Sequence, residues 1–179
     1  FRPDVCQNAM LILDGAQDKG KSFYVDWLCP VKGLHIESAI RPEDKDYKEM
    51  LSSRWIWEVG ELGATIRKSD REALKAFLTT KEATYRSSYG RYVMTKPALA
   101  SCIGTVNLEA GFLNDPTGNR RFWPLTLIDI NQEYSSAVNK HQLWAQAYAL
   151  YVQGESWRLC PEEKQVHVNL CLLYEIEDP

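Results

Sequence analysis

Residues 15–22, Gly15-Ala16-Gln17-Asp18-Lys19-Gly20-Lys21-Ser22, set two glycines, a lysine and a hydroxyl at the spacing G-x-x-x-x-G-K-[ST]. That spacing suits a loop whose backbone N–H groups turn inward onto phosphate oxygens. The glycines let the chain wrap closely, and a helix starting beside the second of them adds its positive dipole end. In such a loop Lys21 reaches the β- and γ-phosphates and Ser22 offers its hydroxyl to Mg²⁺. Closed by Phe23, the stretch 15–23 is a candidate site for ATP with its magnesium ion.

Hydrolysis needs a carboxylate for the metal and a group that activates or orients water, best presented at the tip of a neighbouring strand. Glu58 follows Trp55-Ile56-Trp57 and Glu61 comes shortly after it, close enough in the chain for both acids to face one metal. A further apolar run ends in Gly104-Thr105-Val106-Asn107. Its asparagine is either a turn residue or an amide that orients the attacking water and senses the γ-phosphate. Arg120 and Arg121 lie between a Pro/Gly turn and an apolar run. They can neutralise charge on a phosphoryl group, in their own site or a neighbouring subunit's, or pair with local acids such as Asp115. In Tyr85-Arg86-Ser87-Ser88-Tyr89-Gly90-Arg91-Tyr92, cations interleave with aromatics around a glycine. Arg86, Tyr89 and Arg91 there suit a loop that touches phosphates and stacks on bases, although tyrosine-rich hairpins also serve as packing.

The surrounding pattern predicts the elements these residues need. Ala9 to Leu13 is a continuous apolar run closed by Asp14-Gly15, the mark of a parallel strand buried on both faces and followed by a turn. Residues 21–28 read as a helix, 30–46 as irregular with a short strand near 34–36, and 55–59 as a second strand. Ser69 to Thr79 carries apolar residues at helical spacing, and 84–94 suggests a hairpin. Leu99 to Val106 and Phe122 to Ile130 are further strand-like runs. Ala137 to Val152 reads as an amphipathic helix whose face of Leu143, Trp144, Ala147, Tyr148 and Tyr151 packs on the core. Strands alternating with helices give α/β architecture with a parallel central sheet. Residues 1–154 make the core, and 155–179, rich in acids, a short helical extension of the same domain.

Composition limits the rest. The chain has 179 residues, 21 Lys+Arg against 24 Asp+Glu and a formal charge of −3. This is one soluble domain, able to fold without a staple. No apolar run approaches a membrane span, and the start lacks a signal core, so the expectation is cytoplasmic. Five scattered cysteines without a C-x-x-C pair read as small buried hydrophobes. Mild overall acidity does not exclude nucleic acid, because residues 81–96 hold Lys81, Arg86, Arg91 and Lys96 against Glu82 alone.

The order GAQDKGKSF, WIWEVGEL, LKAFLTTKEATYRSSYGR, GTVNLEAGFLNDPTGNRRFWPL and QLWAQAYALYVQGE resembles the virulence-associated protein E family. That family comprises helicase-like ATPase domains of phages, plasmids and pathogenicity islands, and is similar to superfamily 3 helicases of the AAA+ class. The resemblance implies a P-loop NTPase fold, with Gly15, Gly20, Lys21 and Ser22 as the Walker A site, Glu58 and Glu61 as Walker B acids, and Asn107 as the sensor. It makes Arg121, with Arg120 beside it, a finger reaching the adjacent subunit of a homo-oligomeric ring, a hexamer. It also implies single-stranded or forked DNA and a primase as partners, with no membrane. The alternative is a non-motor ATP-dependent switch or scaffold that regulates a partner protein. Asp18 stands where the family often has glycine, and Ala98 where arginine is frequent. The chain starts only a few residues before its first strand, which reads as an excised domain or a shortened family member.

Overall fold

The computed structural model describes residues 9–41, 46–60, 62, 68–87, 90–107 and 119–174. In chain order the elements are β1 (Met10–Asp14), α1 (Lys21–Leu28), β2 (His35–Glu37), α2 (Tyr47–Ser53), β3 (Ile56–Val59) and α3 (Lys68–Leu78). There follow β4 (Glu82–Tyr85), β5 (Met94–Pro97), β6 (Ser101–Val106), β7 (Phe122–Thr126), α4 (Tyr134–Ala137), α5 (Lys140–Val152) and α6 (Pro161–Leu172).

Five strands pair in parallel in the order β2-β3-β6-β1-β7. Met10, Ile12 and Leu13 are buried, as a strand between two parallel neighbours and covered on both faces requires. Alternation along each strand then divides the core. Leu13 and Ile56 join Val25 of α1 and Cys29, just beyond its end, on one face of the sheet. Met10, Ile12, Trp57 and Phe122 join Phe77 of α3, Cys171 of α6 and Tyr174 on the other. The chain runs from β1 to β2 at one edge and returns through β6 to β7 beyond β1. Connections therefore part to opposite sides at the carboxyl end of β1, the topological switch point where open α/β sheets place their ligands.

The α/β architecture with a parallel sheet agrees with the sequence reading, and several boundaries move. The hairpin expected over 84–94 is wider, its strands β4 and β5 starting at Glu82 and ending at Pro97 in a separate antiparallel pair. Residues 47–53, unassigned from sequence, form α2. The helix expected from Ala137 starts at Lys140, because the Asn139 side chain accepts from the N–H groups of His141 and Gln142 and caps it there.

The amphipathic core face expected for that helix is overturned. No residue of α5 is buried, and Leu143, Tyr148, Leu150 and Val152 are exposed. Its hold on the domain is polar instead: Trp144 Nε1 donates to Leu28 O at 2.8 Å, and Lys140 Nζ to Cys29 O at 3.1 Å. These two contacts satisfy carbonyls at the open carboxyl end of α1. The acidic extension goes deeper than its composition suggests, because Cys171 and Tyr174 enter the main core. Among the cysteines, Cys29, Cys102 and Cys171 are buried as expected, Cys160 is exposed, and Cys6 lies outside the described residues. No helix among the described residues is long and apolar enough to cross a membrane.

Candidate active site

The loop between β1 and α1 depends on left-handed backbone at two positions. Gly20 has φ 84° and caps α1; Asp18 has φ 62° and is the one non-glycine residue with positive φ among the described residues. The second position explains why glycine suits it and why aspartate, a short polar side chain tolerant of this region, is an acceptable replacement. Residues after β7 wall the loop. A Cβ on Gly15 would stand 3.0 Å from Leu127 O, and one on Gly20 would stand 2.9 Å from Gln132 Nε2. Gln132 Nε2 also donates to Lys19 O at 3.2 Å, and Lys19 Nζ pairs with Asp129 at 3.3 Å. No sequence signal pointed to Leu127, Asp129 or Gln132, since their role comes from where β7 delivers the chain.

A lysine that serves as a phosphate ligand in such a loop is expected to face solvent, and the structure buries Lys21. Its ammonium donates to Gly15 O at 2.6 Å, Ala16 O at 2.8 Å and Asn107 Oδ1 at 2.9 Å. Three donors meet three acceptors, so the loop closes on its own lysine. Burial lowers the Lys21 pKa, while the Asp14 and then the Asp18 carboxylate oppose that shift. Asn107 stands at the end of β6, beside β1, and the contact unites two residues that sequence could only nominate separately.

Glu58 lies on the same pleat face of β3 as Ile56, the face that α1 covers, and its side chain is fully buried. Oε2 lies 3.1 Å from His35 Nε2, and His35 Nδ1 lies 3.0 Å from Asp26 Oδ1. Oε1 is buried with no hydrogen-bond partner among the described residues. Burial raises the Glu58 pKa; the Ser22 hydroxyl opposes it, the Glu37 carboxylate adds to it, and His35 opposes it. Ser22 and Asp26 sit one helical turn apart on α1, facing Glu58 and His35 respectively. The result is a carboxylate held by one oxygen, with the other free to act towards Ser22. His35 was passed over in the sequence because three scattered histidines form no cluster. Its signal was positional: it begins the strand next to β3, in register with Ile56.

The arginines fall elsewhere. Met10 N donates to Arg121 O at 2.8 Å, which sets Arg121 beside the start of β1. The loop begins at the opposite end of β1, about 13 Å away at roughly 3.3 Å per residue. The backbone of Arg121 thus stands at the far end of β1 from its own loop. Arg86 and Arg91 are exposed beyond the ends of β4 and β5, with Tyr92 exposed beside them. Tyr85 is buried instead, its hydroxyl accepting from Ser52 Oγ at 3.1 Å. The hairpin thus combines a packing tyrosine with an outward cationic tip. Glu61, Tyr89 and Asp115 lie outside the described residues.

The family model of the virulence-associated protein E-like domain matches residues 1–171. No curated protein matches the chain. Among solved structures, it is similar to the A-form apo structure of the NrS-1 C-terminal region. The TM-score is 0.56 at 16% identity, covering 94% of this chain and 43% of that one. A structure of the NrS-1 C-terminal region 305–718 gives 0.49 at 16% identity, covering 96% and 36%. At this identity the likeness concerns the fold, and this chain spans less than half of the region it matches.

Proposed function

The chain belongs to the virulence-associated protein E-like family, and on that premise we propose that it is the P-loop ATPase core of a helicase-like motor. The motor acts on DNA in the replication of a phage or mobile element and works with a primase. One observation carries the reading: the ammonium of Lys21, in a G-x-x-x-x-G-K-S loop, bonds Asn107 at the tip of β6. The lysine and the sensor amide of an ATPase need that juxtaposition, and an ordinary glycine turn does not.

The residues present fit a magnesium nucleotide. Among the described residues no cluster of three or more His, Cys, Asp or Glu could hold a metal. Mg²⁺ needs no such cage, since it takes one or two protein oxygens and completes its shell with phosphates and water. Ser22 and the partnerless Oε1 of Glu58 supply that pair of oxygens. When bound, the ion supplies positive charge that neutralises the phosphates. Lys21 exchanges its carbonyl contacts for phosphate oxygens, and the uncapped first turn of α1 offers N–H groups to the same anion. Glu58, anchored through His35, orients water and accepts its proton; Asn107 holds that water in line. Arg121, remote from its own loop, serves the site of the next subunit in a ring. Steady-state hydrolysis of Mg·ATP by the purified protein, with and without single-stranded DNA, tests the whole. DNA-stimulated turnover is expected. Turnover indifferent to DNA would leave a nucleotide switch in place of a motor, and no turnover would remove the ATPase.

The exposed hairpin carries a separate prediction. Replacing Arg86 and Arg91 by alanine should weaken single-stranded DNA binding while ATP binding stays intact. Each phosphate contact on a single strand contributes about 0.7 to the slope of log K against log salt, so the double variant should lose about 1.4 of that slope. A titration across salt concentrations checks this, and an unchanged slope would take the hairpin out of DNA contact.

A further inference from the structure

The sheet order gives the nucleotide site a direction. β6 and β3 lie on one side of β1, and β7 lies on the other. Asn107, at the tip of β6, and Glu58, on β3, mark the first side as the end where the reacting phosphate belongs. A nucleotide held with that end towards β6 carries its nucleoside towards β7 and the residues that follow it. Those residues cross the loop as a strap. Leu127 N donates to Asp14 O, Gln132 Nε2 donates to Lys19 O at 3.2 Å, and Tyr134 opens α4 against the first two turns of α1. The strap ends in a cluster of rings. Tyr134 meets Trp27 edge-on at 4.9 Å between centroids and Tyr24 at 5.5 Å. Its hydroxyl is buried with no hydrogen-bond partner among the described residues, so the ring acts as a brace and not as a polar ligand. Phe23 stands against it, tilted, at 6.4 Å. The other three rings are half-buried, whereas Phe23 is 56% exposed, directly after Ser22 in the first turn of α1.

We propose that Phe23, braced by Tyr134, is the stacking platform for the base of the bound nucleotide, so that loop and strap together form a nucleoside subsite that prefers a purine. The proposal deepens the nucleotide reading of the loop and rests on it. Lys21 and the loop N–H groups attract any polyphosphate by charge, and only a contact beyond the phosphates tells a nucleotide from an inorganic one. A phenyl ring offers its face to any base, and a purine covers more of that face than a pyrimidine does. Stacking also removes from water an apolar ring that the fold itself leaves exposed.

Calorimetry on the whole chain with Mg·ADP and with Mg·pyrophosphate, neither of which the site turns over, separates the two parts. The parent should bind Mg·ADP about tenfold more tightly than Mg·pyrophosphate, and about threefold more tightly than Mg·CDP. Phe23→Ala opens no cavity in the core, because the ring is mostly outside. It should weaken Mg·ADP about tenfold and change Mg·pyrophosphate by less than about twofold, while Phe23→Tyr, which keeps a stacking face, should stay near the parent for both. Equal losses for the two ligands in Phe23→Ala would make the ring a support of the loop and overturn the proposal. Unchanged Mg·ADP affinity in that variant, or a parent that binds Mg·ADP and Mg·pyrophosphate alike, would overturn it too, and a parent indifferent between Mg·ADP and Mg·CDP would overturn the purine preference. A parent that binds none of these ligands overturns the phosphate-loop reading, and the proposal with it, and is told apart by that.

Discussion

Lys21→Ala protein should bind no measurable Mg·ATP and hydrolyse none. The ammonium bonds two of the loop carbonyls, and charge-assisted contacts of this kind contribute about 1.5–3 kcal/mol each. Losing two phosphate contacts therefore costs at least a hundredfold in affinity, at roughly 1.4 kcal/mol per tenfold. The fold should survive. Gly15 O, Ala16 O and Asn107 Oδ1 lose a donor, but the loop lies at the open carboxyl end of the sheet, where water replaces it, and Tm should stay within about 4 °C. Fluorescent-nucleotide titration and a melting curve on one preparation decide the matter; binding at parental affinity would sink the phosphate loop. The same variant probes assembly. Arg121→Ala protein should bind ATP and hydrolyse it poorly. Mixed with Lys21→Ala protein, it should recover part of the activity, because some interfaces then join an intact loop to an intact Arg121. Mixtures that co-assemble on DNA without recovery would make Arg121 structural.

Glu58→Gln should separate binding from chemistry. The amide keeps the shape and loses the base, so ATP affinity stays near parental while kcat falls about 10²–10⁴-fold. A second effect runs the other way. The folded-state pKa of Glu58 lies above its unfolded value, with burial the main cause. A group so shifted favours the folded state fully at pH below its unfolded pKa, and that contribution is lost as pH rises through the folded pKa. Above its folded-state pKa the parent therefore carries a buried charge that the glutamine variant lacks. There the variant should melt higher by about 2–4 °C per kcal/mol relieved. The gap should close as pH falls through the folded-state pKa towards the ordinary carboxylate range, where the parent is protonated too. Melting curves across that interval check the sign, and a variant that melts lower at every pH would contradict the burial argument. Full turnover in this variant, with loss in Glu61→Gln alone, would move the leading role to Glu61.

The sequence made the sheet and the loop legible for a physical reason. Met10-Leu11-Ile12-Leu13 is apolar on both faces, as a central parallel strand must be, and Trp55-Ile56-Trp57-Glu58 places one acid on the face that the loop helix covers. Such patterns are local, and they could be read. The misread helix α5 fails the same test from the other side. Its apolar residues suggested a core face, but they fall all around it, and Trp144 and Lys140 hold it by polar contacts to the end of α1. The histidine behind Glu58 and the strap at Leu127–Gln132 were not legible, because each acts across strands whose order no one-dimensional pattern encodes. Lys21 was legible in identity and misjudged in environment. A motif specifies what a lysine does with its ligand; it says nothing of where the lysine rests before the ligand arrives.

That resting place bears on kinetics. A loop whose lysine already has three acceptors sits in a basin of its own, and nucleotide must wait for, or induce, departure from it. Apparent affinity is then the intrinsic affinity scaled by the fraction of molecules in the open basin. On the proposed ATPase reading Asn107 belongs to both basins, holding the lysine in one and the attacking water in the other. Substituting Asn107 therefore acts twice, populating the open loop while weakening the chemistry. Apparent affinity for ATP rises as turnover falls, an opposition that equilibrium binding and steady-state rates on one Asn107 variant would expose together.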